Sequence, residues 1–150
     1  MKRALIIGVL GQDGSYLAEH LYKNNYQVYG IIRTNQQYIA DHLTWIHESA
    51  PDITISRVDI YNRKELTDYI KEIAPDEIYN FAGVSNVFSA WENMDDVFEL
   101  NARVPQYIIR AILEVDKKIK YFQASSCLVF GRNRDTVQNE WTQREPIHPY

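Results

Sequence analysis

The chain has 150 residues, of which 45% are hydrophobic and 24% charged, values that suit one globular domain with a real core. Its formal net charge of -4 leaves no basic footprint for nucleic acid or an anionic membrane. The single cysteine, Cys127, excludes a disulfide framework and a zinc cluster within the chain and is expected to be a small buried hydrophobe.

The elements alternate from the start. Met1-Lys2-Arg3 leads into an apolar run that ends by Leu10. That run is too short for a membrane span and lacks a small-residue cleavage site, so it predicts a first strand and a cytoplasmic chain. Ala4–Ile7 reads as a strand buried on both faces. Residues 15–24 have helical spacing, with Leu17, Ala18, Leu21 and Tyr22 on one face. Strand patterns follow at 27–32, 53–58, 77–81 and 119–124. Helix patterns lie between them at 38–48, 63–73 and 97–115, with a kink expected at Pro105. From Gly131 to Tyr150 the chain is polar and proline-containing, hence loop. This alternation predicts an α/β fold with a doubly wound parallel sheet. Because the chain finishes inside a loop, the domain is expected to continue, with its last elements supplied from elsewhere.

Between the first strand and first helix stands Gly8-Val9-Leu10-Gly11-Gln12-Asp13-Gly14. Glycines there permit tight-turn dihedrals and close approach of backbone to a pyrophosphate, and the helix N-terminus adds N–H groups and its positive dipole end. The spacing G-x-x-G-x-x-G is one residue longer than the dinucleotide fingerprint. The bland alternative is a βα turn that happens to contain glycines.

NAD-selective sites place an acid after the second strand. Here Arg33 follows Ile31-Ile32, and a guanidinium there suits a 2′-phosphate. The expected cofactor is therefore NADP rather than NAD, the alternative being a solvated surface arginine. Asp59-Ile60 ends the third strand, and Asp59 is also a candidate cap for the helix that follows. The four histidines (His20, His42, His47 and His148) lack metal-ligand spacing and are expected at the surface. No metal site is expected. Trp45, Trp91 and Trp141 are expected to be packing residues.

The string Gly8 to Glu19, GVLGQDGSYLAE, resembles the extended short-chain dehydrogenases/reductases of the epimerase/dehydratase group, and within it the GDP-mannose 4,6-dehydratases. The resemblance runs along the whole chain and implies a Rossmann-type NADP-binding domain over residues 1–150, without the lobe that holds the nucleotide sugar. It implies cofactor contacts at Gly8, Gly11, Gln12, Asp13, Gly14 and Arg33. It further implies adenine contacts at Asp59 and Ile60, a cofactor wall at Phe81 and Ala82, and a contacting serine at Ser85. Asn101 falls at a position that is structural in many members.

Gln123 to Gly131, QASSCLVFG, resembles the segment that carries the catalytic Ser or Thr, which places that role on Ser126. Tyr150 follows by 24 positions, the family's spacing to its catalytic tyrosine, and PIHPY resembles the approach to that residue. The resemblance implies that Tyr150 takes a sugar hydroxyl proton while hydride leaves, tuned by a lysine four residues further on. In the dehydratases a glutamate two residues after the catalytic hydroxyl removes the C5 proton; here that position is Leu128.

Three functions follow as expectations. The first is NADP-dependent C4 oxidation of a nucleotide sugar such as GDP-mannose, by an enzyme that is a homo-oligomer at full length. The second is nucleotide-sugar epimerisation or 4-keto reduction. The third is a non-catalytic NADP-binding module. In each, these 150 residues alone are expected to bind cofactor with little turnover.

Overall fold

In the computed structural model, residues 1–32, 40–84, 86–132 and 137–150 are described, with only the backbone for 40–42. Five strands, β1 (Arg3–Ile7), β2 (Gln27–Ile32), β3 (Thr54–Arg57), β4 (Glu77–Asn80) and β5 (Lys120–Gln123), form one sheet in the order β3-β2-β1-β4-β5. Every pairing is parallel. Helices α1 (Gln12–Lys23), α2 (Ala40–Ser49), α3 (Arg63–Ile73), α4 (Met94–Phe98) and α5 (Val104–Val115) make the crossovers. This is the Rossmann-type, doubly wound layout expected from the alternation. None of the helices among the described residues is long and apolar enough to cross a membrane.

The sheet is buried on both faces because its side chains alternate. Leu5 and Ile7 of β1 pack with Ile78, Leu66, Ile70 and Ile108 beneath α3 and α5. Ala4 and Ile6 pack on the other face with Ala18, Leu21, Val28 and Ile46 beneath α1 and α2. All four β1 residues are almost completely shielded from solvent.

Chain order reverses between β1 and β4, the neighbours from which the sheet is wound in opposite directions. In open α/β sheets the crevice at the carboxyl ends of such strands is the binding position. Register puts Ile7 beside Asn80, and Asn80 beside Gln123, at those ends.

Two helices begin earlier than the sequence-based expectation. Helix α1 begins at Gln12, with Gly11 as a cap residue that offers no side-chain bond. The apolar spacing starts only later, so the polar first turn was invisible to it. The helix expected over 97–115 instead starts at Met94 and widens into a π turn over Glu99–Arg103. Pro105 follows at the first turn of α5. Its missing N–H and bulky ring disfavour an ordinary α turn before it, and the widened turn resolves the conflict.

Candidate functional site

The glycine turn is built by close approach. Gly8 has φ +86, and a Cβ there would stand 2.9 Å from the Ala82 nitrogen. Both facts demand glycine. The turn is closed by the Gly11 N–H donating to the Gly8 carbonyl at 3.0 Å, and the Ser15 N–H donates to the Gly11 carbonyl at 2.9 Å. A Cβ on Gly14 would lie 2.4 Å from the Gly8 oxygen, so the first turn of α1 sits hard against the end of β1. No side chain caps that turn, and Gln12 and Asp13 are exposed. With no side-chain cap, the first N–H groups of α1 stand beside Gly8 and Gly11, where no Cβ obstructs them, a cradle that fits a pyrophosphate.

A cleft opens from this turn, walled by Ile7, Gly8, Gly11, Ile31, Ile32 and Ile60. Phe81, Ala82 and Gly83 at the end of β4 line this cleft and also a neighbouring cavity of about 400 Å³. That second cavity is completed by Asn101, by Gln123–Ser126, Leu128 and Val129 after β5, and by Pro146 and His148–Tyr150. The structure thus brings Gly8, Gly11, Ile60, Phe81 and Ala82 together in one half, and Ser126 and Tyr150 together in the other.

The remaining expected site residues divide. Gly14 serves the turn from behind. Asp59 is exposed, and its carboxylate accepts the Tyr61 N–H at 3.0 Å. Asp59 is not the cap of α3. That position belongs to Asn62, whose side chain accepts the Glu65 N–H at 3.3 Å, because Asp59 lies one turn too early. Arg33 and Ser85 lie outside the described residues.

Ser126 starts a 3₁₀ turn over Cys127–Phe130, and its Oγ accepts the Leu128 N–H at 3.2 Å. The hydroxyl proton is therefore free to donate elsewhere. The Tyr150 main-chain N–H donates to Nδ1 of His148 at 3.1 Å. Asn101, on the π turn, holds the loop after β4 by both edges of its amide: Val84 N–H donates to Oδ1 at 2.8 Å, and Nδ2 donates to the Val84 carbonyl at 3.3 Å. Its structural role is as expected.

A buried polar network joins the two halves of the site. Asn80 is fully shielded from solvent; its Nδ2 donates to Gln123 Oε1 at 2.9 Å and its Oδ1 accepts the Ala82 N–H at 3.1 Å. Gln123 Nε2 donates to the Ala124 carbonyl at 2.8 Å, and the Tyr121 hydroxyl also donates to Gln123 Oε1. Burial pushes the Tyr121 phenol up to about 12, so it remains a donor at neutral pH. The network ties Ala82, in the wall shared by both halves, to Ala124 beside Ser126. Sequence reasoning missed Asn80 and Gln123 as site residues. Polar side chains at the ends of two adjacent buried strands were the available signal.

Exposure corrects three expectations. Cys127 is exposed, not buried, because the 3₁₀ turn after Ser126 swings it outward. Trp141, expected to pack, is 93% exposed, since it sits on a segment outside the sheet layers, whereas Trp91, 57% exposed, does pack, edge-on to His148. Trp45 does pack on the core, edge-on to Tyr16. His148, expected at the surface, is half-buried and lines the cavity.

The sequence profile of the GDP-mannose 4,6 dehydratase family matches residues 5–150. The chain belongs to that family. GDP-mannose 4,6-dehydratases of Yersinia enterocolitica and Vibrio cholerae are each 34% identical to it, over 100% and 99% of this chain, and the match takes in 42% of each relative. The Drosophila melanogaster GDP-mannose 4,6 dehydratase is 33% identical, with 40% of its length covered. The chain therefore spans about two-fifths of the length of these GDP-mannose 4,6-dehydratase relatives. Among solved structures, the UDP-Glc/GlcNAc 4-epimerase of Campylobacter jejuni superposes with a TM-score of 0.90 at 18% identity, over 100% of this chain and 45% of that one. The UDP-glucose 4-epimerase of Brucella ovis, in complex with NAD, gives 0.82 at 20%, over 100% and 43%. At these identities the likeness is one of fold.

Proposed function

We propose that this chain is the NADP-binding portion of an enzyme that oxidises the C4 hydroxyl of a nucleotide sugar, GDP-mannose or a close relative. One observation carries the reading: the glycine cradle and the Ser126/Tyr150 cavity share the wall Phe81–Gly83. A ligand whose phosphates rest on the cradle reaches the two candidate reacting side chains along that wall.

Bound NADP supplies a hydride acceptor. The chain's own residues do the rest. The open N–H groups at the start of α1 hold the pyrophosphate, aided by the helix dipole. Ile32 and Ile60 offer an apolar wall for the adenine, and Arg33 is assigned to the 2′-phosphate. Ser126, its oxygen already engaged by Leu128 N–H, donates its own proton to the sugar oxygen and fixes its position. Tyr150 receives the hydroxyl proton as the base.

A second reading is favoured by Leu128. It lines the cavity where the dehydratases carry a glutamate, and an alkyl side chain neither takes nor gives a proton. No carboxylate lines the cavity among the described residues. Hydride transfer at C4 without elimination is the chemistry of an epimerase, which oxidises C4 and then returns the hydride, or of a 4-ketoreductase, which only delivers it. Mass analysis of the product made by the whole enzyme decides between the two, since elimination shows as loss of water.

The test of the first reading is a thermal-shift titration of this chain with NADPH and NADH side by side. Binding to the native state alone raises the melting temperature. A larger rise with NADPH is expected; no rise with either in a chain that circular dichroism shows to be folded would overturn the reading. By itself the chain is expected to convert little or no GDP-mannose.

A further inference from the structure

His148 precedes Tyr150 by two residues in a segment without regular structure. The Tyr150 N–H donates to its Nδ1 at 3.1 Å. The accepting nitrogen carries no proton, so in the neutral ring the proton sits on Nε2. Trp91 meets the same ring edge-on, with centroids 5.3 Å apart and planes at 73°. The local bond from Tyr150 thus sets the tautomer, and Trp91, distant in sequence, helps to hold the ring in position.

The ring is half-buried and lines the cavity beside Ser126 and Tyr150. Among the described residues, Nε2–H has no protein partner. This nitrogen is not shut off from solvent, so it is open to the cavity, where a ligand oxygen can take the place of a water molecule. The described lining residues include no Asp, Glu, Lys or Arg, so a phosphate finds no cation in this half of the cleft. What suits such a wall is a neutral, oxygen-rich group.

We propose that His148 is a ligand-contacting residue, whose Nε2–H donates a hydrogen bond to a hydroxyl or carbonyl oxygen of the sugar held between Ser126 and Tyr150. This rests on reading the cavity as the sugar site. It adds a specificity contact that the family resemblance does not assign.

A purely structural role for His148 is to hold the Tyr150 N–H, as Asn or Asp side chains do two residues back in an Asx turn. His148→Asn retains that acceptor and lacks the distal N–H, whereas His148→Ala removes both. The experiment uses the whole enzyme that carries this chain, with ¹⁵N-labelled histidine and His148 assigned by its loss in His148→Asn, with and without saturating NADP, titrated with GDP-mannose near neutral pH. The expected result is an Nε2–H tautomer whose ring resonances move with GDP-mannose. His148→Asn should keep the wild-type melting temperature and NADPH response but bind GDP-mannose roughly fivefold more weakly, the scale of one neutral hydrogen bond. An Nδ1–H tautomer overturns the proposal. So does a GDP-mannose response that leaves His148 unmoved, no response anywhere in the cavity, or full affinity in His148→Asn. The NADPH thermal shift is read separately: its absence from the wild type counts against the cofactor reading and leaves the tautomer and GDP-mannose results to judge His148.

Discussion

Gly14 stands so close to Gly8 that a Cβ on Gly14 would lie 2.4 Å from the Gly8 carbonyl oxygen. The contact is backbone to backbone, so neither side can rotate away. Gly14→Ala must therefore push α1 off the end of β1. A loss of about 1–3 kcal/mol is expected, the scale of overpacking in a dense interior, with cofactor affinity reduced at least about tenfold. Gly11→Ala is the informative contrast. Gly11 has φ -72, and its Cβ would stand 3.3 Å from the Gly8 oxygen. The fold should tolerate it within about 1 kcal/mol, while the methyl intrudes where Gly11 lines the cleft. Urea denaturation and NADPH titration of both variants check this. Wild-type stability in Gly14→Ala, or wild-type NADPH affinity in Gly11→Ala, would contradict the geometry.

Arg33 follows Ile32, which closes β2 and lines the cofactor half of the cleft. Replacing it with Asp removes the cation assigned to the 2′-phosphate and supplies an acceptor for ribose hydroxyls. The NADP/NAD affinity ratio should fall by at least about tenfold, equal to 1.4 kcal/mol. An unchanged ratio would remove the basis for preferring NADP.

Asn80 and Gln123 are predicted to act as a unit. Asn80→Leu leaves the Ala82 N–H without its side-chain acceptor and takes a donor from Gln123, so it should cost about 2–3 kcal/mol. Gln123→Leu removes the partner from the other side. Because the two changes break one network, the double variant should lose less than the two singles together, by at least about 0.5 kcal/mol. Simple additivity in urea denaturation would show that the pair is not coupled.

How far the sequence reading reached follows from what periodicity encodes. Burial of β1 on both faces was legible in Ala4–Ile7, since an uninterrupted apolar run has no solvated side to offer. The glycine turn was legible because only its spacing and its position between strand and helix were needed. Cys127 and Trp141 were misjudged because residue type reports a preference, while exposure depends on what packs nearby, and both stand outside the sheet layers. His148 was missed for a related reason: its place is set by an i to i+2 bond and by Trp91 across the fold. The order His-Pro-Tyr was the available clue, since a side-chain acceptor ahead of Pro is a frequent way to hold the next N–H.

The opposite, amino-terminal end of the sheet makes a pH prediction. Tyr79 donates to Glu77 Oε2 at 2.8 Å, and Lys2 lies 3.1 Å from Oε1. Burial, then the bond to Glu77, pushes the Tyr79 phenol up to about 12. Burial raises the Glu77 carboxyl, but bonds from Tyr79 and Lys2 outweigh it and hold the group below its ordinary value. The signs follow by linkage. Tyr79 is bound more tightly as the neutral phenol in the folded state, so its contribution is complete below the unfolded value of about 10. That contribution is lost as pH rises toward about 12. Glu77 is favoured as the anion, so its contribution is complete above the unfolded carboxylate value of about 4.3 and is lost as pH falls through the lower folded value. Tyr79→Phe should flatten the alkaline limb of the stability profile and Glu77→Gln the acid limb, each relative to the wild type. Tyr121, whose phenol also sits at about 12, keeps part of the alkaline slope in Tyr79→Phe, and Tyr79→Phe/Tyr121→Phe should flatten it further. Denaturant midpoints across the pH range measure all four. Identical alkaline limbs in the wild type and the double variant would show that these phenols ionise in the folded chain as they do in the unfolded one.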